Sequence, residues 1–423
     1  MTVSEPDPET EPAPRRLPRG GDLAVVGGRI VPVVGEVVES GTVLVLGGVV
    51  AAVGADVDVP EGLQVIRAEG SWVLPGFVES HAHVGVHEEG LGWAGSDGNE
   101  LTDPAGARFR ALDGINPADE GFRDALAGGI TAVVVKPGSG NPIGGQTVAL
   151  KTWGRMVDEM VLAEPCSVKS ALGENPKRVY GEKKQTPSTR LGVASVIRDA
   201  LRDAQDYAAR RAAAAAEGKP FDRDSNAEVL VRVLDGELPW CQHCHRSDDI
   251  ATAIRLAEEF GYRLVVNHGT EGHLLADVLA ERHIPVIIGP LFTSRSKVEV
   301  NLRDLRNPGL LDRAGVTIAI TTDHPVVPIN FLVYQAILAV KEGLDRGAAL
   351  RALTINPARI LGLDARVGSL EVGKDGDLVI WDGDPLDIMS RARTVVVEGR
   401  RVYDFDESLG RGVTVDPYRR AGA

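Results

Sequence analysis

The chain has 423 residues, 43% hydrophobic and 25% charged, with 46 basic against 60 acidic side chains for a net charge of −14. That length suits one large folded unit with a smaller one, and the acidic balance argues against a surface for nucleic acid or anionic membrane. No apolar run is long enough to span a bilayer and there are only three cysteines, so the expectation is a cytoplasmic, disulfide-free protein that acts on a small molecule, with homo-oligomer formation left open.

Residues 1–20 are rich in Pro and Glu without an apolar core, and they read as a disordered tail rather than a signal peptide. Residues 21–72 and 364–413 alternate Val and Ile with glycine turns, so both ends are expected to build one small β-domain of β-sandwich-like form. Between them, residues 73–363 alternate short apolar runs with polar loops and helical stretches. Strands are expected near 73–80, 131–136, 147–151, 167–172, 240–244, 263–267, 285–288 and 317–321, and strong helices over 198–217 and 248–260. Eight strands with helices between them predict an α/β fold, a (β/α)8 TIM barrel, in which the third strand and its helix carry the weakest pattern. Residues 87–119 have no period, and loops of that length on a barrel serve as lids or substrate walls.

The chemistry starts on the first strand. Residues two apart on a strand face one side, so His81 and His83 are expected to point together into the barrel at the strand's C-terminal end, a start for a zinc-type site. Cys241-Gln-His-Cys244-His245 spells the haem-attachment pattern, but that chemistry needs an export route and the motif overlaps a barrel strand, so no haem is expected. His243 shares the inward face with His245 one layer deeper and reads as packed or as supporting a ligand from behind. Lys177, Arg178 and Tyr180 follow the fourth strand near the barrel mouth, where Arg178 suits a substrate carboxylate as well as it suits solvent. Lys136 ends the second strand and is a second candidate for substrate contact. His87 and His324 also lie near the mouth, whereas His283 falls at the opposite end.

Leu74-Pro-Gly-Phe-Val-Glu-Ser-His-Ala-His83 resembles the opening signature of the amidohydrolase superfamily, and Thr354-Ile-Asn-Pro-Ala-Arg with Gly368-Ser-Leu-Glu-Val-Gly-Lys-Asp-Gly-Asp377 resembles its closing one. Asn141-Pro-Ile-Gly-Gly-Gln146 and Ala171-Leu-Gly-Glu-Asn-Pro-Lys-Arg178 are similar to the imidazolonepropionase-like group of metal-dependent hydrolases. The resemblance implies metal ligands at His81, His83, His245, His268 and Asp323, with Asp323 also moving the proton of the attacking water. It further implies a carboxylated Lys169 bridging two divalent ions, zinc first and manganese or iron as substitutes. The activity implied is cleavage of a C–N bond in an amide, cyclic amide or dipeptide-like compound by metal-bound hydroxide.

Alternatives stay open at this point. Glu174 is a bridging carboxylate if Lys169 is not. A mononuclear site of His81, His83, His245 and Asp323, with His268 left for substrate or water, would suit a deaminase or an imidazolonepropionase-type ring hydrolase. Asp248 stands where deaminases often carry a Glu, although Asp248 or Asp249 also suits a helix N-cap. A non-catalytic barrel scaffold is the remaining reading.

Overall fold

The computed structural model describes residues 20–294 and 296–418, and the expected tail over 1–20 lies, but for Gly20, outside the described residues. Eight strands form the central sheet: β1 (Phe77–Ala82), β2 (Ile130–Val135), β3 (Ile143–Lys151), β4 (Val161–Ala171), β5 (Trp240–Cys244), β6 (Leu264–His268), β7 (Val286–Ile288) and β8 (Ile318–Ile320), paired in chain order. Each expected strand is present. The first is split, however, because Trp72–Pro75 pairs in another sheet and the chain changes sheets at Gly76. That crossing is tight, since a Cβ on Gly76 would stand 1.9 Å from Thr131 Oγ1.

The regular (β/α)8 expectation needs one correction. β3 runs antiparallel to both β2 and β4, whereas the other neighbouring pairs are parallel. The physical reason is the connections: residues 136–142 and 152–160 are too short for a crossover with its helix, so both must turn back as hairpins. The sheet is nearly closed. Across the seam between β1 and β8, Thr321 Oγ1 donates to His81 O (2.7 Å) and His83 N–H donates to His324 O (2.8 Å).

The expected helices appear as Arg190–Ala216 and Ser247–Phe260. The first begins earlier than expected, where Thr189 Oγ1 accepts from Gly192 N–H at 3.0 Å. Neither Asp248 nor Asp249 caps the second: Asp248 pairs with Arg246 (2.8 Å) and Asp249 with Arg190 (3.0 Å), while Glu271 Oε2 accepts the Ser247 N–H at 2.8 Å. Below the strands, a short helix, Ile355–Ile360, closes the floor. Ala358 and Ile360 pack with Val78, Val134, Val265, Ile287 and Ala319, so the Thr354-Ile-Asn-Pro-Ala run plugs the barrel. Among the described residues no helix is long and apolar enough to cross a membrane.

Both terminal regions contribute to a second, nine-stranded sheet, in which Trp72–Pro75 lies between Leu23–Ile30 and Leu378–Trp381. A buried ion cluster ties it to the barrel. Lys151, at the end of β3, reaches Asp375 (2.7 Å) and Asp377 (2.6 Å), and Arg366 reaches Asp375 (2.7 Å) and Glu398 (3.1 Å). Removing one member of such a cluster leaves its partners charged in a dry place. Lys151→Met is therefore expected to lower unfolding free energy by about 3–5 kcal/mol in chemical denaturation. A loss under about 1 kcal/mol would mean that the cluster is solvated.

Candidate active site

The C-terminal ends of the strands converge on a group of imidazoles. His81 and His83 come from the end of β1, His243 and His245 from β5 and just beyond it, His268 from the last position of β6, and Asp323 from just past β8. Ring centroids lie 4.9 Å apart for His81 and His268, 4.4 Å for His243 and His268, and 4.7 Å for His245 and His268. Ligand atoms of His243, His245 and His268, and separately of His81, His268 and Asp323, all lie within 4.8 Å of one another. His268 thus stands between two groups of donors.

Backbone conformation delivers two of these side chains. His268 (φ 75) and Asp323 (φ 53) both occupy the left-handed region, each where its strand ends. Strict alternation would aim His268 with Cys244, its ladder partner, away from the interior. The left-handed turn brings it inward instead, at a cost of roughly 1–3 kcal/mol for a non-glycine residue.

The hydrogen bonds behind the rings set their tautomers. His83 Nδ1 lies 2.8 Å from Lys136 O, and His268 Nδ1 lies 2.7 Å from Gly289 O. A carbonyl only accepts, so each Nδ1 carries the proton and each Nε2 presents a lone pair. His243 Nδ1 meets Ser139 Oγ (2.9 Å) and His245 Nδ1 meets Thr270 Oγ1 (2.7 Å). Burial holds His81, His243 and His268 well below the usual histidine range and lowers His245 to about 4, so these rings are neutral at neutral pH.

These donors fit a divalent cation. The Nε2 atoms of His81, His243 and His268 are buried without a hydrogen-bond partner. Asp323 Oδ1 faces His81 Nε2 at 3.2 Å and His83 Nε2 at 3.3 Å. For His83, whose Nδ1 carries the proton, the Nε2 lone pair faces that carboxylate and is repelled unless a cation lies between them. Zinc–nitrogen bonds of about 2.0–2.1 Å place tetrahedral ligand atoms about 3.3 Å apart.

Lys169 points inward from β4 and is fully buried. Its Nζ donates to Ser139 Oγ (2.8 Å) and Pro137 O (3.3 Å), so Ser139 links it to His243. Burial lowers its pKa to about 7; Asp323 opposes that shift and Lys136 reinforces it. Lys136 is also buried, and its Nζ donates to Asn267 Oδ1 at 3.4 Å. Glu79 sits behind the site in the seam, accepting from Thr321 Oγ1 (2.6 Å), Thr322 Oγ1 (2.7 Å), Thr322 N–H (2.9 Å) and His81 N–H (2.9 Å). Burial raises its pKa to about 6 against those bonds.

Not every sequence candidate joins the cluster. Tyr180 is buried and donates to Asn141 Oδ1 at 2.8 Å, bracing the loop that carries Ser139. Arg178 is exposed on the helix Glu174–Glu182. His324 is buried with its Nε2 3.7 Å from Glu89, and burial lowers its pKa to about 4. His87 lies beside His83 and bonds to Ser96 Oγ at 3.1 Å. The Asp248 carboxylate is occupied by Arg246. Cys241 and Cys244 are buried free thiols.

Two residues stand out beyond the sequence reading. His243, expected a layer below as a packed or supporting residue, lies in the same cluster as His245 and His268. Glu299 comes from a 3-10 turn, Val298–Val300, after β7, and brings a buried carboxylate to His243 and His245. Glu174 is held by Glu299, with its N–H donating to Glu299 Oε2 at 3.0 Å.

Pro137, whose carbonyl bonds Lys169, also lines a cavity of 470 Å³ walled by Val86, Gly98, Arg108, Arg110 and Gly144. A larger one of 670 Å³ opens at the other end of the barrel, around Arg263, Pro285 and Thr317, away from the ligand cluster.

A family model described as the amidohydrolase family matches residues 116–403. A solved amidohydrolase from Thermotoga maritima MSB8 is 44% identical with a TM-score of 0.88, the match covering 90% of this chain and 100% of that one. An imidazolonepropionase from Mesorhizobium japonicum is 26% identical over 82% of this chain and 87% of its own length. The amidohydrolase tasK from Hapsidospora irregularis is 29% identical over 86% of this chain, which spans only 39% of that relative's length. With the ligand cluster at the strand ends, these matches lead to one conclusion: the chain belongs to the amidohydrolase family, in its imidazolonepropionase-like group, and is a hydrolase.

Proposed function

We propose that the protein hydrolyses a C–N bond in a small amide, cyclic amide or dipeptide-like compound, using two divalent ions held by the clustered histidines. The observation that carries this reading is the convergence of buried, unpartnered imidazole nitrogens on Asp323. One group of donors is His81, His268 and Asp323, with His83 Nε2 3.3 Å from Asp323; the other is His243, His245 and His268, so His268 belongs to both. Zinc, or manganese or iron in its place, supplies Lewis acidity and a water that ionises near neutral pH.

The chain's own residues do the rest. Asp323 is charged at neutral pH and takes the proton of the attacking water at a carboxylate oxygen, then returns it to the leaving nitrogen. Lys169 is buried with a depressed pKa, so a neutral amine is available. Its lone pair would add to the carbon of CO2 with loss of one proton, and the resulting carbamate would offer the ions an anionic oxygen donor where the amine now stands. Ser139 and Pro137 orient that amine.

The test is elemental analysis of protein purified without chelator, together with a hydrolysis screen over amides, cyclic amides and dipeptides. About two metals per chain, with activity lost to a chelator and restored by zinc, is the expected result. One metal per chain with ammonia released from a cyclic amidine would instead support a mononuclear deaminase.

A further inference from the structure

Glu299 is a glutamate at 1% exposure whose Oε1 has no hydrogen-bond partner. That oxygen lies 3.7 Å from His243 Nε2 and 3.8 Å from His245 Nε2. The Lys297 ammonium, at 4.0 Å, is at the limit of an ion pair and does not satisfy it. A buried carboxylate oxygen beside two imidazole nitrogens, with no donor within hydrogen-bond reach, is costly unless a cation accepts all three.

The other half of the carboxylate shows that this placement is built. Glu299 Oε2 accepts the Glu174 N–H at 3.0 Å, and Glu174 Oε2 accepts the Glu299 N–H at 3.4 Å. The two loops after β4 and β7 thus clamp each other. Gly173 makes the room: its φ is +85, and a Cβ there would stand 2.6 Å from Glu299 Oε2. The glycine of the Ala171-Leu-Gly-Glu174 run is therefore needed to admit Glu299. With Oε2 held at the clamp, Oε1 is left facing the histidines.

We propose that Glu299, with His243 and His245, is a ligand of the second metal ion. The proposal rests on the binuclear reading above and adds a donor to it. The edges of 3.7 and 3.8 Å lie a few tenths of an ångström above the about 3.3 Å edge of a tetrahedral zinc shell. A bound ion would also hold the segment between β7 and β8, which carries Glu299, against the barrel mouth.

The test is zinc binding to the full chain, metal-stripped and then equilibrated in zinc buffered by a competing chelator. Glu299→Gln is the variant, because its amide oxygen can keep the Glu174 N–H bond while an uncharged amide faces the imidazoles. Wild type is expected to bind two ions. The variant is expected to keep one and to bind the other at least tenfold more weakly, with the thermal midpoint of the metal-free form equal to or above that of wild type. Glu299→Asp, which retains the charge, is expected to recover part of the affinity. Two ions bound by Glu299→Gln as tightly as by wild type would overturn the proposal while leaving the binuclear reading intact. A single ion in wild type would overturn both.

Discussion

Asp323→Asn is expected to lower kcat by about 10²–10⁴-fold while the protein stays folded. Asparagine keeps the shape of the side chain and the left-handed backbone, which it tolerates better than most residues. It cannot take a proton, and it removes the negative charge that now faces His81 Nε2 and His83 Nε2 at 3.2 and 3.3 Å. The comparison needs turnover on any substrate found in the screen, metal content, and a thermal midpoint. Full activity in the variant would rule out Asp323 as the group that handles the proton. A folded variant that has lost both its turnover and part of its metal is the anticipated outcome.

Lys169→Ala is expected to reduce bound metal from about two ions per chain to one or fewer and to remove most activity. The lysine is fully buried in a place already holding the Lys136 ammonium. Left as a cation it would repel divalent ions, whereas a carbamate attracts them. The alanine variant leaves a cavity the size of the missing chain, and a small carboxylate such as acetate or propionate can enter it. Partial recovery of metal and activity in high concentrations of such an acid is expected, because the acid supplies the missing bridge. Unchanged metal content in Lys169→Ala would show that the lysine serves the substrate instead.

Much of the barrel was legible because its strands are short apolar runs buried on both faces, as in Ile130–Val135 and Leu264–His268. The direction of β3 was not, since a strand's composition does not encode its polarity; the short 136–142 connection did, and it was the better guide. His81, His83, His268 and Asp323 were readable as strand-end residues that a resemblance could label. Alternation places His243 on the inward face and leaves open whether it packs, supports a ligand or joins the cluster. How far a long imidazole reaches along that face was the missing information. Glu299 was hidden because it lies in a segment without period, whose path is set by contacts with the loop after β4. Cap preference points to Asp248 or Asp249, but nearby arginines compete for both carboxylates more strongly than a helix N-terminus does.

The seam between β1 and β8 has a thermodynamic consequence. The contacts that close it, Glu79 with Thr321 and Thr322, join residues 242 and 243 positions apart, whereas β2, β3 and β4 pair through hairpins between sequence neighbours. Loop-closure entropy therefore favours forming the hairpins early and the seam late. His81 and His83 lie on one side of that join and Asp323 on the other. A cation held by all three binds the closed barrel and not one open at the seam, so its binding free energy adds to the free energy of closure. Hydrogen exchange at the His83 and Thr322 amides then reports occupancy: slow with metal present, and the first to quicken as a chelator removes it.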